Sequence, residues 1–159
     1  MKQKKNASSA GAGRRIVNEM RLRLPASSVN EGVARGTVGA FLAQLDPTVE
    51  ELADLKCVVS EAVTNCVVHA YGGRGGAIYI TVRARADREV ELSVRDCGCG
   101  IADVAEAMRP MFTTDKSGER SGMGFAVMQA FADRVRVRSE VGKGTKVTVT
   151  KRLSAAGER

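Results

Sequence analysis

Apolar and polar residues alternate first at Met20, Leu22 and Leu24, which are separated by Arg21 and Arg23. A period of two predicts a half-buried strand, and Pro25 ends it. Val29, Val33, Val38, Phe41, Leu42 and Leu45 then recur at helical spacing, with Ser27 or Ser28 placed to cap that helix. Gly32, Gly36 and Gly39 interrupt it, each costing up to about 1 kcal/mol relative to alanine. Three such sites in one helix suggest close approach to another backbone, as at a dimer interface. Asp46-Pro47 breaks the pattern, and Thr48 with Glu51 forms a capping box for a second helix over about 49–70. Its apolar stripe is Leu52, Leu55, Val59, Ala62 and Cys66, and the glycine-rich run 71–76 is a loop.

Period two returns at Ile80, Val82 and Ala84 and again at Val90, Leu92 and Val94. Placing both sets on one face suggests Ala84 opposite Leu92, a turn near 87–89, and Arg85 opposite Glu91. A short helical piece near 104–108 and a helix over 122–132 precede a hairpin built on Val135, Val137, Val147 and Val149, with Gly142-Lys143-Gly144 at its turn. Strands with one polar and one apolar face predict an α+β two-layer sandwich: an antiparallel-rich mixed sheet with helices on one face. The boundaries read as a flexible basic tail over 1–17, one domain over 18–154, and a short tail over 155–159.

Composition narrows the class. The 159 residues suit one domain, and 43% hydrophobic with 27% charged residues is a globular balance. No apolar run approaches the ~18 residues of a membrane span, so a soluble, cytoplasmic protein without membrane contact is expected. The formal charge of +7 raises nucleic acid as a partner. Lys2, Lys4, Lys5, Arg14 and Arg15 carry most of it, leaving 20 basic and 18 acidic residues elsewhere. The body therefore gives no reason to expect direct nucleic-acid binding. Cys57, Cys66, Cys97 and Cys99 lack paired zinc spacing and read as reduced, mostly buried thiols.

Three short motifs could carry chemistry. Glu61 and Asn65 are four apart on the second helix, beside its apolar stripe, where they could hold a hard cation or orient a hydroxyl. Alone they read more simply as a solvated pair on a helix flank, and His69 on the same line as a packed histidine. Asp96-Cys-Gly-Cys-Gly100 directly follows a strand, so Asp96 could accept from an exocyclic amine, or the run could be a plain turn. Arg120-Ser-Gly-Met-Gly-Phe125 opens a helix whose free N–H groups would suit phosphate, or it is an ordinary helix start. The polar stretch before it could form a lid, with Lys116 and Arg120 as phosphate contacts. Gly142-Lys143-Gly144-Thr145 is followed by a strand and lacks the earlier glycine of a P-loop.

Taken together, Glu-x-x-x-Asn, Asp-x-Gly-x-Gly and Gly-x-Gly in this order resemble the N, G1 and G2 boxes of the GHKL ATPase superfamily. The runs Phe41-Leu-Ala-Gln-Leu-Asp-Pro-Thr48, Val58-Val-Ser-Glu-Ala-Val-Thr-Asn65, Met111-Phe-Thr-Thr114 and Glu119-Arg-Ser-Gly-Met-Gly-Phe125 resemble its anti-sigma factor branch of serine protein kinases, the sporulation type above all. The likeness spans about 19–154. It implies a Bergerat-type ATP-binding fold and a homodimer that binds an RNA polymerase sigma factor, as sporulation or stress-response members do. It also implies MgATP-dependent phosphorylation of a serine on an anti-anti-sigma protein. By the same resemblance Glu61 is the general base, Asn65 the Mg²⁺ ligand and Asp96 the adenine-reading acid. Gly98 and Gly100 shape the loop that holds ATP or ADP. Gly122, Met123 and Gly124 lie at the phosphates with Lys116 and Arg120, Thr145 stands behind the adenine, and Arg35 contacts a partner. Cys97 and Cys99 depart from the family pattern and should touch the nucleotide through neither side chain. A histidine kinase domain is a weaker reading, because His69, the single histidine, lies in the proposed nucleotide helix. A sigma-binding module without catalysis is the other.

Overall fold

The computed structural model describes residues 13–109 and 124–155. Its elements are β1 (Ile16–Pro25), α1 (Asn30–Ala43), α2 (Val49–Asn65), a π-helical turn (Cys66–Ala70), β2 (Ala77–Arg85), β3 (Glu89–Arg95), α3 (Val104–Ala107), α4 (Gly124–Phe131), β4 (Arg134–Glu140) and β5 (Gly144–Arg152). The strands form one sheet in the order β1-β2-β3-β5-β4, and every pairing is antiparallel. The two-layer α+β architecture is the expected one, with a wholly antiparallel sheet in place of a mixed one.

The helices cover one face of the sheet. Val38, Leu42, Leu55, Val59 and Met128 from the helices meet Ile80, Val82, Leu92 and Val149 from the strands in a single buried core. Lys151 is the cation on that side of β5, and its Nζ donates to Asp54 Oδ2 (3.2 Å) and to the Phe131 carbonyl (2.7 Å). One ammonium group thus joins α2, the end of α4 and the sheet. The capping box forms as read from sequence: Glu51 N–H donates to Thr48 Oγ1 (3.1 Å) and Thr48 N–H to Glu51 Oε2 (2.8 Å).

Several local expectations are corrected. β1 begins at Ile16, inside the segment assigned to the tail, because Ile16 already pairs with Arg85. Neither Ser27 nor Ser28 caps α1; Asn30 Nδ2 donates back to the Pro25 carbonyl (2.9 Å) instead. Val29 and Val33 do not belong to the buried face, being 78% and 49% exposed. Gly32 and Gly36 face open space and Gly39 rests on the Lys56 side chain, so no other backbone among the described residues requires them.

The β2–β3 register differs by two residues from the expected one. Ala84 pairs with Val90 and Arg83 with Glu91. Arg88 takes the left-handed region (φ +65°) and donates its N–H to the Arg85 carbonyl (3.0 Å), which closes the three-residue loop 86–88. A shift of two preserves facing, so the apolar residues stay inward and the charge pairing survives diagonally. Arg85 Nη2 and Arg83 Nη1 each reach Glu91 at 3.0 Å.

Candidate functional site

α2 ends at Asn65 rather than Ala70. The five residues that follow widen into a π-helical turn closed by Tyr71 N–H donating to the Cys66 carbonyl (3.2 Å). This change of pitch interrupts the straight i, i+4 line from Glu61 through Asn65 to His69. It also frees the Ala70 carbonyl to accept from Cys99 N–H (2.9 Å), drawing the 96–100 loop onto the end of the turn.

The loop is held on three sides. Tyr71 Oη donates to the Ala77 carbonyl (2.8 Å) and accepts from Cys97 N–H (2.8 Å). A side chain at position 98 would collide with the Ala70 carbonyl, and one at position 100 with the Glu140 carbonyl. Gly100 is also in the left-handed region (φ +74°). Gly98 and Gly100 therefore allow the loop to touch both the π-turn and the β4–β5 hairpin.

That contact frames a cavity of about 330 Å³ whose wall includes Asn65, Cys66, His69, Asp96, Gly100 and Thr145. Ile101, Ala107, Phe125 and Val147 give it an apolar side. Asp96 is 5% exposed. Its Oδ1 accepts from Gly98 N–H (2.9 Å) and Thr145 N–H (3.1 Å), and its Oδ2 from the Cys66 thiol (3.6 Å). Thr145 Oγ1 lies 2.8 Å from Ser139 Oγ, which in turn accepts from Ile101 N–H (2.7 Å).

Glu61 and Asn65 meet at a second point, the start of α4. A Cβ at Gly124 would lie 3.0 Å from Glu61 Oε2 and 3.5 Å from Asn65 Oδ1. The carboxylate and the amide thus flank a helix start that bears no side chain, one edge of which lies in the cavity wall.

The structure brings Asn65, Asp96, Gly100, Gly124 and Thr145 to one cavity, with Glu61 and Gly98 immediately behind it. Arg35 is elsewhere, exposed on α1, where it pairs with Glu31 (3.3 Å), which also accepts from the Ser60 hydroxyl. Lys116, Arg120, Gly122 and Met123 lie outside the described residues. The cysteines are not mostly buried: Cys66 is, while Cys57, Cys97 and Cys99 are exposed. Cys99 also lines the cavity, and its thiol donates toward the carbonyls of His69 (3.2 Å) and Gly100 (3.4 Å). Tyr71 and Ser139 escaped the sequence reading. Each supports the site from a distant stretch of chain, and an isolated Tyr or Ser carries no motif.

A buried acceptor in the wall of the cavity, and a helix whose first residue, Gly124, lines the same wall, suit a nucleoside phosphate: Asp96 toward an amino group, the N–H groups of α4 toward an anion. Comparison with known proteins agrees. Residues 24–151 match the family described as the histidine kinase-like ATPase domain. An anti-sigma F factor of Caldanaerobacter subterraneus subsp. tengcongensis is 53% identical over 135 residues, 84% of this chain and 93% of the relative. The crystal structure of the RsbU and RsbW domains of a Mycobacterium tuberculosis protein superposes with a TM-score of 0.65 at 23% identity, over 88% of this chain and 34% of that one. Full-length ShkA in complex with AMPPNP superposes with a TM-score of 0.54 at 23% identity, over 66% of this chain and 22% of that one.

Proposed function

Given that this chain belongs to the histidine kinase-like ATPase domain family and to the anti-sigma F factors within it, we propose that it binds and inhibits an RNA polymerase sigma factor and uses MgATP to phosphorylate a serine on an anti-anti-sigma protein. The observation that carries the catalytic half is the meeting of Glu61 and Asn65 at Gly124, next to the cavity that Asp96 closes. Phosphoryl transfer asks a protein mainly for positioning and charge neutralisation. Asp96 accepts from the adenine amino group, and Thr145 and Ser139 keep its loop in place. The Gly124 end of α4 offers N–H groups to the phosphates. Glu61 accepts the proton of the attacking serine hydroxyl.

Asn65 would supply one hard oxygen for Mg²⁺, an ion that takes oxygen ligands. Held there, the ion would supply neutralisation of charge on the transferring phosphoryl group. Arg35, outside the cavity, is free to contact protein while a nucleotide is bound. The likeness to the anti-sigma factors also favours a homodimer as the working unit. The test is incubation with labelled ATP, Mg²⁺ and an anti-anti-sigma protein, followed by mapping of the modified residue. Phosphoserine on the partner supports the reading. ATP binding and sigma capture without transfer would reduce the protein to a sequestering module.

A further inference from the structure

Cys66 is the first residue of the π-turn, immediately after Asn65, and is 4% exposed. The same step in the chain that presents Asn65 toward Gly124 puts the Cys66 thiol beneath Asp96. Nothing in the catalytic account uses it.

The carboxylate of Asp96 has two lone pairs on each oxygen. Oδ1 uses both, accepting from Gly98 N–H (2.9 Å) and Thr145 N–H (3.1 Å). Oδ2 accepts from the Cys66 thiol (3.6 Å), so one acceptor position is left on it, and both residues line the cavity. Three donors from three separate segments fix the plane of the carboxylate. The thiol is buried against the carboxylate, and its S–H is the donor in that contact. An ionised carboxylate can accept from a 6-amino group and cannot donate to a 6-oxo group.

We infer that Cys66 is a positioning residue that aims the remaining lone pair of Asp96 and thereby sets the preference for a 6-aminopurine over a 6-oxopurine nucleotide. This rests on the reading of Asp96 as the base-recognising acid.

The experiment is equilibrium titration of the full chain, with Mg²⁺, by ATP and separately by inosine triphosphate. Loss of one hydrogen-bond donor to the carboxylate should lower ATP affinity in Cys66→Ala by roughly three- to tenfold. Inosine triphosphate affinity should stay near its starting value, so the ratio of the two falls. Cys66→Ser keeps a donor and should restore the ratio. Cys66→Val fills the space without a donor and should behave as Cys66→Ala, which covers the case of an alanine variant that folds poorly. Equal weakening of both nucleotides in Cys66→Ala and Cys66→Val, or an unchanged ratio, would overturn the role of Cys66. Absence of any preference in the unmodified protein would instead overturn the reading of Asp96, and this inference with it.

Discussion

Asp96 and Thr145 are joined twice: Asp96 N–H donates to the Thr145 carbonyl (2.9 Å), and Thr145 N–H donates to Asp96 Oδ1 (3.1 Å). The end of β3 and the start of β5 therefore hold the carboxylate as one unit, and a disturbance on either strand should be felt at Asp96.

Ser139 tests that coupling from a third strand. Its hydroxyl accepts from Ile101 N–H (2.7 Å) and meets Thr145 Oγ1 (2.8 Å). Ser139→Ala should cost about 1–2 kcal/mol of stability through the partners left unsatisfied. Urea denaturation reads that loss, and ATP titration should show weaker binding although Ser139 does not line the main cavity.

The glycines should divide sharply under substitution. Gly98→Ala and Gly100→Ala drive a Cβ into the Ala70 and Glu140 carbonyls, and position 100 adds left-handed strain. Both should be strongly destabilised and lose ATP binding. Gly32→Ala and Gly36→Ala meet nothing within 4 Å and should gain up to about 1 kcal/mol each from helix propensity. Thermal denaturation of the four variants decides it.

Glu51 links stability to pH. Burial alone would raise its carboxyl, but the bonds from Ser154 N–H (2.7 Å), Ser154 Oγ (2.8 Å) and Thr48 N–H (2.8 Å) outweigh it and hold the group below its ordinary value. The folded carboxylate thus binds its proton less readily than the unfolded one. Its stabilisation is complete above the ordinary value of 4.5 and is lost as pH falls through the lower, folded one. Glu51→Gln should flatten the stability profile of the protein on the acid side of the ordinary glutamate value of 4.5. Thr48→Ala, which removes the other half of the box, should cost about 1 kcal/mol at neutral pH.

Arg35 should separate partner binding from nucleotide binding. Its pair with Glu31 is half exposed and contributes little to stability. Arg35→Ala should leave the melting temperature and ATP affinity unchanged while weakening capture of the sigma factor. Surface-immobilised sigma factor, titrated with both proteins, reads the difference.

The capping box at Thr48 and Glu51 and the inward faces of β2, β3 and β5 were legible in the sequence because each depends on neighbours within a few residues. The register of β2 against β3 was not. Facing is the same after a shift of two, and the choice was made by Arg88 entering a left-handed turn. Val29 and Val33 were misassigned for a related reason: helical spacing marks a stripe but not how far the partner layer extends beneath it. At the site, Glu61, Asn65 and Asp96 stood out only through their resemblance to the boxes of a known family, since each short motif alone reads as well as a helix flank or a turn. Tyr71, Ser139 and the cavity-facing Cys99 depend on the π-turn and on loop contacts between segments 26 to 38 residues apart, which no local pattern encodes.

The central claim is that Glu61 acts on the attacking serine hydroxyl and not on nucleotide binding. Its most direct test is a paired measurement on Glu61→Gln: ATP affinity by titration, and phosphate transfer to the anti-anti-sigma protein. ATP affinity should be essentially unchanged while transfer falls by about 100-fold or more, the usual loss when a general base is removed. A Glu61→Gln protein that binds ATP and transfers phosphate at the unmodified rate would contradict the account.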